Sequence, residues 1–261
     1  MAVSDREELA RYPDTARTLD TDPYGRAIHD HHVGERDDPL YDVDGSERRN
    51  HPIERFYFEP FRAESDAGAW VSAWLDGPLL DLGAGAGRHT LYFQERFEAV
   101  AIDASEYLVA VMRDRGVEDA RHASMFNLHE HFGRDRFRSV LSIGTQLNLA
   151  GSMQGLRRLL GDLAYVTTPD ATAVVDSYDP SVTATTGVFG FRPDPEPGLS
   201  YRVYHYEYGE DVGPELLFRL FSPDRLHEAV AGTGWTVAGV RRHPPTSDVQ
   251  YRAALSKRAG E

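Results

Sequence analysis

The sequence contains no cysteine, a single lysine (Lys257) and no long apolar run. Without cysteine the chain can form no disulfide, no thiolate zinc site, no iron–sulfur cluster and no thiol nucleophile. No stretch approaches the roughly 20 apolar residues that a membrane-spanning helix requires. The first residues lack the basic and apolar regions of a secretory signal, so we expect a cytoplasmic protein without membrane contact.

Charge of one sign dominates the composition. The chain has 42 Asp and Glu residues against 28 Lys and Arg, which gives a formal net charge of −14. An acidic surface repels nucleic-acid phosphates and anionic lipid, so no DNA partner is expected and RNA is not favoured. Few lysines and many carboxylates resemble the acidic proteome of a halophilic archaeon, where salt screens the repulsion. A GC-rich genome that encodes Arg in place of Lys is the alternative.

Short apolar runs alternate with amphipathic segments through the middle of the chain. Strands are predicted at residues 79–82, 98–102, 117–123, 137–143 and 171–176, and helices at residues 64–75, 88–97, 105–115 and 152–165. Ser105 is placed to cap the third of these helices. Because strand–helix–strand units form parallel sheets with right-handed crossovers, the alternation predicts an α/β fold.

The two ends of the chain have different patterns. Residues 1–62 are polar and then aromatic, without sustained periodicity, and are interpreted as an N-terminal arm or lid with short helical pieces. Residues 201–208 and 215–221 predict an antiparallel β-hairpin inside an insertion at about residues 181–221. A helix at residues 223–231, capped by Ser222, precedes two strands at residues 235–240 and 249–255, predicted to be antiparallel to each other.

The most informative segment is a glycine loop that follows the first predicted strand. Residues 81–87 read DLGAGAG, and a predicted helix follows them. Glycines allow a tight turn and a close approach to a ligand, and the helix beyond offers free N–H groups. A dinucleotide-binding loop would have a small residue at position 88, where this chain has Arg88. A phosphate-binding P-loop is also excluded, because no Gly-Lys-Ser/Thr follows.

The G-x-G-x-G spacing, preceded by Asp81, resembles motif I of the class I S-adenosylmethionine (SAM)-dependent methyltransferases. The resemblance extends over roughly residues 64–257 and is closest to the small-molecule type, with a weaker likeness to glycine N-methyltransferase-like enzymes. It implies a three-layer α/β/α Rossmann-like fold whose seven-stranded sheet is mostly parallel, with one antiparallel strand. It also implies SAM as cofactor of a domain at residues 63–261, with the hairpin insertion over the acceptor pocket.

The resemblance assigns cofactor contacts residue by residue. Asp103 ends the second strand, where an acid can accept hydrogen bonds from both ribose hydroxyls; nicotinamide enzymes share this feature. Ser124 stands where the family commonly has Asp at the adenine, and Arg62 is a candidate for the methionine carboxylate or for a surface ion pair. The predicted cofactor-binding residues are Asp81, Gly83, Ala84, Gly85, Gly87, Asp103, Ala104, Ser124, Met125, Phe126, Ile143, Gly144, Gln146 and Arg62.

Methyl transfer from a sulfonium is an in-line displacement, so a general base is needed only when the acceptor must lose a proton. The candidate catalytic residues are His205 and Glu207 of the hairpin and Tyr24 and His29 of the arm. A solvated hairpin face and plain packing of the arm are the alternatives for them. The three histidines at residues 29–32 do not share one helix face and no other ligand motif is present, so no metal is expected.

The leading hypothesis is therefore a SAM-dependent methyltransferase that acts on a small-molecule acceptor, with a homodimer left open. A non-catalytic SAM-binding or partner-activating subunit is the first alternative, because motif I indicates binding and not chemistry. An NAD(P)-dependent oxidoreductase is the second, although Arg88 and the lack of a Tyr-x-x-x-Lys pair argue against it.

Overall fold

The computed structural model describes residues 22–243 and 247–257, so the part of the predicted arm before residue 22 lies outside it. Its helices are α1 (Pro23–Val33), α2 (Asp66–Ser72), α3 (Thr90–Phe93), α4 (Glu106–Asp114), α5 (Leu128–His131), α6 (Met153–Val166) and α7 (Pro223–Val230). Its strands are β1 (Tyr41–Asp44), β2 (Glu47–Asn50), β3 (Leu79–Leu82), β4 (Ala99–Asp103), β5 (Ala120–His122), β6 (Phe137–Ser142), β7 (Thr167–Tyr178), β8 (Phe191–Pro193), β9 (Leu199–Tyr208), β10 (Asp211–Val212), β11 (Leu216–Phe221), β12 (Trp235–His243) and β13 (Ser247–Lys257).

The larger sheet contains seven strands within the described residues, in the order β12-β13-β7-β6-β3-β4-β5. From β7 to β5 all neighbours are parallel, whereas β13 is antiparallel to both β7 and β12. The predicted mostly parallel sheet with one antiparallel strand is confirmed. The carboxyl ends of its parallel strands share one edge, which is where open α/β sheets bind ligands.

The burial of the central strands explains the three layers. In β3, Leu80 and Leu82 join a buried cluster with α5, α6 and α7, whereas Leu79 joins another with α2 and α3. On β4, Ala101 packs with α4 on the second face. Because successive strand residues point to opposite faces, a strand that is covered on both faces is apolar nearly throughout. The sequence therefore encodes helices on both sides of the sheet.

Helix starts follow from local capping. The Ser105 hydroxyl accepts a hydrogen bond from the Leu108 N–H at 3.3 Å, and the Ser222 hydroxyl accepts one from the Arg225 N–H at 3.3 Å. Both caps agree with the sequence prediction. Helices α2 and α3 are shorter than predicted, because tighter i to i−3 hydrogen bonds such as Arg96 N–H to the Phe93 carbonyl end them.

A second sheet joins the arm to the insertion. Its order is β10-β9-β1-β2, and β9 also pairs with β8 and β11. The antiparallel β9–β11 pairing confirms the predicted hairpin. The β1–β2 hairpin was not predicted, since the arm was interpreted as short helical pieces. Its two-residue turn is Gly45-Ser46, between the paired Asp44 and Glu47. Gly45 has a φ of 59°, and glycine at the first position of such a turn is typical of a hairpin.

The described part of the arm lies against the larger domain. Helix α1 buries Ala27 and Ile28 in a cluster with Leu108 and Val111 of α4, and Ala86 of the glycine loop joins them. The arm therefore covers the edge of the sheet at which β3 and β4 end. No helix among the described residues is long and apolar enough to cross a membrane.

Candidate functional site

A cavity of about 690 Å³ lies at the carboxyl edge of the larger sheet. Its walls come from the glycine loop after β3, the ends of β4 and β7, the arm, and strands β9, β11 and β13. Cavities of a few hundred cubic ångströms are typical of small-molecule sites. The cavity therefore lies between the larger sheet and the second sheet.

Two of the loop glycines line this cavity. Gly83 and Gly85 have φ values of 61° and 60°, in the left-handed region that favours glycine. A Cβ on Gly83 would overlap the side chain of Gln146, and one on Gly85 would lie 3.3 Å from the Tyr57 ring. Gly87 does not line the cavity; a Cβ there would lie 2.7 Å from Val117, so this glycine permits close helix packing.

Asp103 is held by the backbone around it. One carboxylate oxygen accepts the Gly85 N–H and the other the Ser105 N–H, both at 3.0 Å. Burial raises the pKa of Asp103 to about 6, and these backbone hydrogen bonds oppose the rise. A carboxylate oxygen has two acceptor positions, so each still has one for a ligand hydroxyl.

Basic side chains line the cavity near Asp81. Burial raises the pKa of Asp81 to about 6, although the Thr90 hydroxyl donates to its carboxylate at 2.7 Å. Arg88 and Arg252 line the cavity, and the Nε of each is buried without a hydrogen-bond partner. Arg62 is exposed and does not line the cavity, so Arg88 and Arg252 are the better-placed cations for an anionic group.

The segment after β5 also reaches the cavity. Ser124, Met125 and Phe126 all line it, and the Ser124 hydroxyl accepts the Phe126 N–H at 3.2 Å. Met125 belongs to the main core, whereas Phe126 is 45% exposed. Met125 therefore belongs both to the core and to the cavity wall, and Phe126 belongs to the wall alone. Apart from Gly87 and Arg62, every predicted cofactor-binding residue lines the cavity.

The rest of the cavity is walled by aromatic side chains, and we call it the aromatic chamber. The rings of Tyr24 and Tyr206 lie 4.6 Å apart between centroids, and Tyr204 stacks on Phe218 at 5.1 Å. The chamber is lined by Tyr24, Asp42, His51, Tyr57, Tyr178, Arg202, Tyr204, Tyr206 and Phe218. Arm, hairpin and β7 meet here, because β1 pairs with β9.

Of the four predicted catalytic residues, only Tyr24 lines the cavity. His205 and Glu207 contact each other at 3.2 Å on the opposite face of β9 from Tyr204 and Tyr206. His29 lies on α1 with its Nδ1 at 3.3 Å from the Asp30 carboxylate. The placement of these three side chains gives no support to a base role, which stays a prediction.

A buried chain of hydrogen bonds leads to Tyr24. The Nδ1 of His51 lies 2.9 Å from the Asp42 carboxylate, and its Nε2 lies 3.1 Å from the Tyr57 hydroxyl. The hydroxyls of Tyr57 and Tyr24 are 2.6 Å apart. No sequence motif identified Asp42, His51 or Tyr57 as site residues, because their association depends on the fold of the arm.

The direction of this chain follows from its acidic end. A carboxylate can only accept hydrogen bonds, so we assign the imidazole proton to Nδ1 of His51, which donates to Asp42. Nε2 then accepts the hydrogen bond of the Tyr57 hydroxyl. Tyr57 has one proton to donate, so its oxygen accepts from Tyr24. Burial raises the pKa of both tyrosines above the usual range. Tyr24 therefore keeps its proton at neutral pH and has a lone pair free on the chamber side.

Binding of a ribose at Asp103 should depend on pH. The carboxylate accepts from hydroxyls, whereas its protonated form has lost an acceptor, so affinity should fall as pH drops through about 6. Below that pH the dissociation constant of SAM should rise toward about tenfold per pH unit. Calorimetry between about pH 5 and about pH 8 measures this. The pH dependence of the SAM dissociation constant should become weaker in Asp103→Asn. If the full dependence persists in that variant, it arises from Asp81 instead.

The comparisons with known proteins agree with this geometry. Residues 80–175 match the family model described as a methyltransferase domain. No protein among the curated ones matches the sequence. A SAM-dependent methyltransferase from Bacteroides fragilis, solved with S-adenosylhomocysteine, has a TM-score of 0.73 and 24% identity over 91% of this chain and 95% of that one.

Two further solved structures have the same fold. The CcbJ methyltransferase from Streptomyces caelestis has a TM-score of 0.56 and 15% identity, over 77% of this chain and 91% of that one. A SAM-bound amino pentose methyltransferase from Micromonospora echinaspora has a TM-score of 0.52 and 16% identity, over 77% and 92% respectively. At these identities the likeness establishes the fold, while the family match covers the segment from β3 to β7.

Proposed function

We propose that this chain is a SAM-dependent methyltransferase, since its residues 80–175 match the methyltransferase-domain model, and that it methylates a small-molecule acceptor held in the aromatic chamber. The observation that carries the proposal is a single cavity lined both by the glycine loop with Asp103 and by the aromatic chamber. A donor on the loop and an acceptor in the chamber would then share one cavity, as in-line transfer requires.

The residues on the cofactor side suit SAM. Gly83 and Gly85 leave room that a side chain would fill, and Asp103 offers free acceptor positions for ribose hydroxyls. Arg88 and Arg252 line the cavity near Asp81, where their positive charge suits the methionine carboxylate. We assign that role to them in place of Arg62, which is exposed.

When bound, SAM supplies a methyl group already activated by its sulfonium. The chamber residues orient the acceptor and exclude water. Where the acceptor atom carries a proton, Tyr24 accepts that proton as its own passes to Tyr57, and the Tyr57 proton passes to His51 Nε2. Asp42 stabilises the resulting imidazolium through Nδ1–H. The proton lost by the acceptor is thus held inside the protein, and no tyrosinate needs to persist.

The other two functions suggested by the sequence are less well supported. A non-catalytic SAM-binding subunit needs no aromatic chamber beside the cofactor loop, whereas this cavity joins the two and the hydrogen-bond chain from Asp42 to Tyr24 ends in it. An oxidoreductase would need room at position 88 for close helix–strand packing of a dinucleotide loop, and Arg88 is largely buried there. The amino pentose methyltransferase, which shares the fold, acts on a small molecule by its name.

Binding and turnover on the full chain test the proposal. Calorimetry with SAM, S-adenosylhomocysteine and NAD should give micromolar binding for the first two only. S-adenosylhomocysteine should then accumulate with some members of a panel of phenols, hydroxy acids, amines and amino sugars. Binding of NAD without SAM would overturn the proposal. Binding of SAM without turnover on any acceptor would favour the non-catalytic subunit.

Several expectations from composition stay predictions. The acidic surface still favours a halophilic source and a cytoplasmic location, disfavours DNA and RNA, and leaves a homodimer open. Higher stability in molar KCl than in dilute buffer would support the halophilic source. The division into an arm at residues 1–62 and a domain at residues 63–261 is likewise a proposal. Helix α1 of the arm packs directly on α4 of the domain, so the two share a buried cluster.

A further inference from the structure

Arg202 is a buried cation in the wall of the aromatic chamber. It lies on β9 and is 8% exposed. Strand periodicity puts it on the same face as Tyr204 and Tyr206, which also line the cavity. The aromatic chamber therefore contains a guanidinium, in addition to its rings and to the Asp42 carboxylate, which is paired with His51.

The hydrogen bonds of this guanidinium are incomplete. Its Nε donates to the Phe189 carbonyl at 2.7 Å, which fixes the orientation of the side chain. Among residues 22–243 and 247–257, neither terminal nitrogen has a hydrogen-bond acceptor, and no carboxylate lies within 4.0 Å. Both terminal nitrogens keep some solvent-accessible surface, and the side chain lines the cavity, so a ligand there can reach them.

Aromatic rings offset only part of the cost of burying this charge. The guanidinium carbon lies 4.7 Å from the Tyr204 ring centroid, 5.4 Å from that of Tyr178 and 5.8 Å from that of Phe218. Ring faces attract a cation but accept no strong hydrogen bond. The half-buried Arg219 of the same sheet, by contrast, has a carboxylate partner, Asp194 at 2.7 Å. Arg202 has the geometry of a group whose partner is a ligand.

We propose that Arg202 binds a carboxylate group of the acceptor, so that the enzyme methylates small molecules that carry a carboxylate. This inference rests on the function proposed above. Two free terminal nitrogens form a fork that matches the two oxygens of a carboxylate. Three rings have centroids within 5.8 Å of the guanidinium carbon and reduce the contact of the ion pair with water, which strengthens it. The rest of the acceptor then extends along Tyr204 and Tyr206 toward the Tyr24 hydroxyl.

The charge of the cavity agrees with this division of roles. Arg88 and Arg252 belong to the loop side near Asp81 and Asp176, where they suit the methionine carboxylate. Arg202 belongs to the chamber side, where the pKa values of Tyr178 and Tyr204 are raised by burial and lowered by its charge. The two sides would thus each hold one anionic group.

Matched pairs of acids and amides test this inference. The probes are the three hydroxybenzoates and the corresponding hydroxybenzamides, with aliphatic hydroxy acids and their amides as a second set. They are titrated into the full chain loaded with S-adenosylhomocysteine and assayed for methyl transfer with SAM. At least one acid should bind at millimolar concentration or below, and about tenfold or more tighter than its amide. No acid binding at millimolar concentration, or equal binding of acid and amide, would overturn the inference.

Two Arg202 variants and one control complete the test. Arg202→Met should weaken acid binding about 10- to 100-fold and leave amide binding unchanged, and Arg202→Lys should fall between. Arg192→Met removes an exposed arginine from the neighbouring strand β8, where Arg192 pairs with Asp44 at 2.6 Å, and should change neither. S-adenosylhomocysteine affinity, measured in every variant, reports an intact fold. If Arg202→Met retains its affinity for S-adenosylhomocysteine and still binds the acid as tightly as the wild type does, the inference is refuted. If the wild type does not bind SAM, the proposed function is refuted instead.

Discussion

Replacing Gly85 with valine is expected to abolish SAM binding while the chain still folds. Gly85 has a φ of 60°, and a Cβ atom built on it would lie 3.3 Å from the Tyr57 ring. A branched side chain would therefore enter the cavity where the loop must approach the cofactor. It would also disturb the N–H that holds Asp103. The dissociation constant of SAM should rise by about 100-fold or more, as calorimetry would show.

A glycine elsewhere separates this loss from simple backbone strain. Gly232 has a φ of 80°, is exposed and has no atom within 4 Å of its ideal Cβ. Both Gly232→Val and Gly85→Val should lose about 1–2 kcal/mol of folding free energy from the left-handed backbone. Only Gly85→Val should lose SAM. Equal affinities in the two variants would show that the cofactor does not lie against this loop.

Cutting the proton relay at Tyr57 is expected to produce the largest loss of turnover. Tyr57→Phe keeps the ring that packs near Gly85 and removes the hydroxyl that joins His51 to Tyr24. Single-turnover methylation of an acceptor that must lose a proton should slow about 100-fold or more, since general-base catalysis contributes about that much. SAM affinity should change little, because the ring remains. Rapid-quench measurement of S-adenosylhomocysteine follows the rate.

The matched control is another tyrosine of the same region. Tyr208 donates a hydrogen bond to Asp30 at 3.1 Å and does not line the cavity. Tyr208→Phe should cost about 1 kcal/mol of stability and leave the rate unchanged. An acceptor that is already ionised at the assay pH should escape the Tyr57→Phe defect. An equal slowing with ionised and protonated acceptors would mean that Tyr57 positions the substrate and moves no proton.

The sequence predicts residues that line one side of the cavity, because the signals for that side are local. Gly83, Gly85 and Asp103 lie at the ends of two strands that neighbour each other in the sheet, and a single loop precedes each following helix. Turn chemistry and strand ends are properties of a few consecutive residues. Gly87 and Arg62 are the exceptions. Gly87 lies against Val117, and the direction of an exposed arginine before a helix depends on packing that spacing does not encode.

The acceptor half depended on contacts between distant segments. The sequence suggests His205 and Glu207 of the hairpin as candidate bases, whereas the structure places Arg202 and the cavity-lining tyrosines on the opposite face of β9. Which face of β9 lines the cavity depends on the tertiary structure. Strand β1 pairs with β9 and brings Asp42 and the arm next to the chamber. A four-residue polar strand has little periodicity, so no pattern revealed it.

The amino-acid sequence alone determined the class of the fold, the glycine turn and the acid at the end of β4, because hydrophobic alternation and turn geometry act between near neighbours. Only the tertiary structure decided which side chains face the acceptor. The relay to Tyr24 and the open guanidinium of Arg202 exist because strands far apart in the chain pair in one register. Such long-range pairing is fixed by the packing of the whole second sheet on the first, which no single segment encodes.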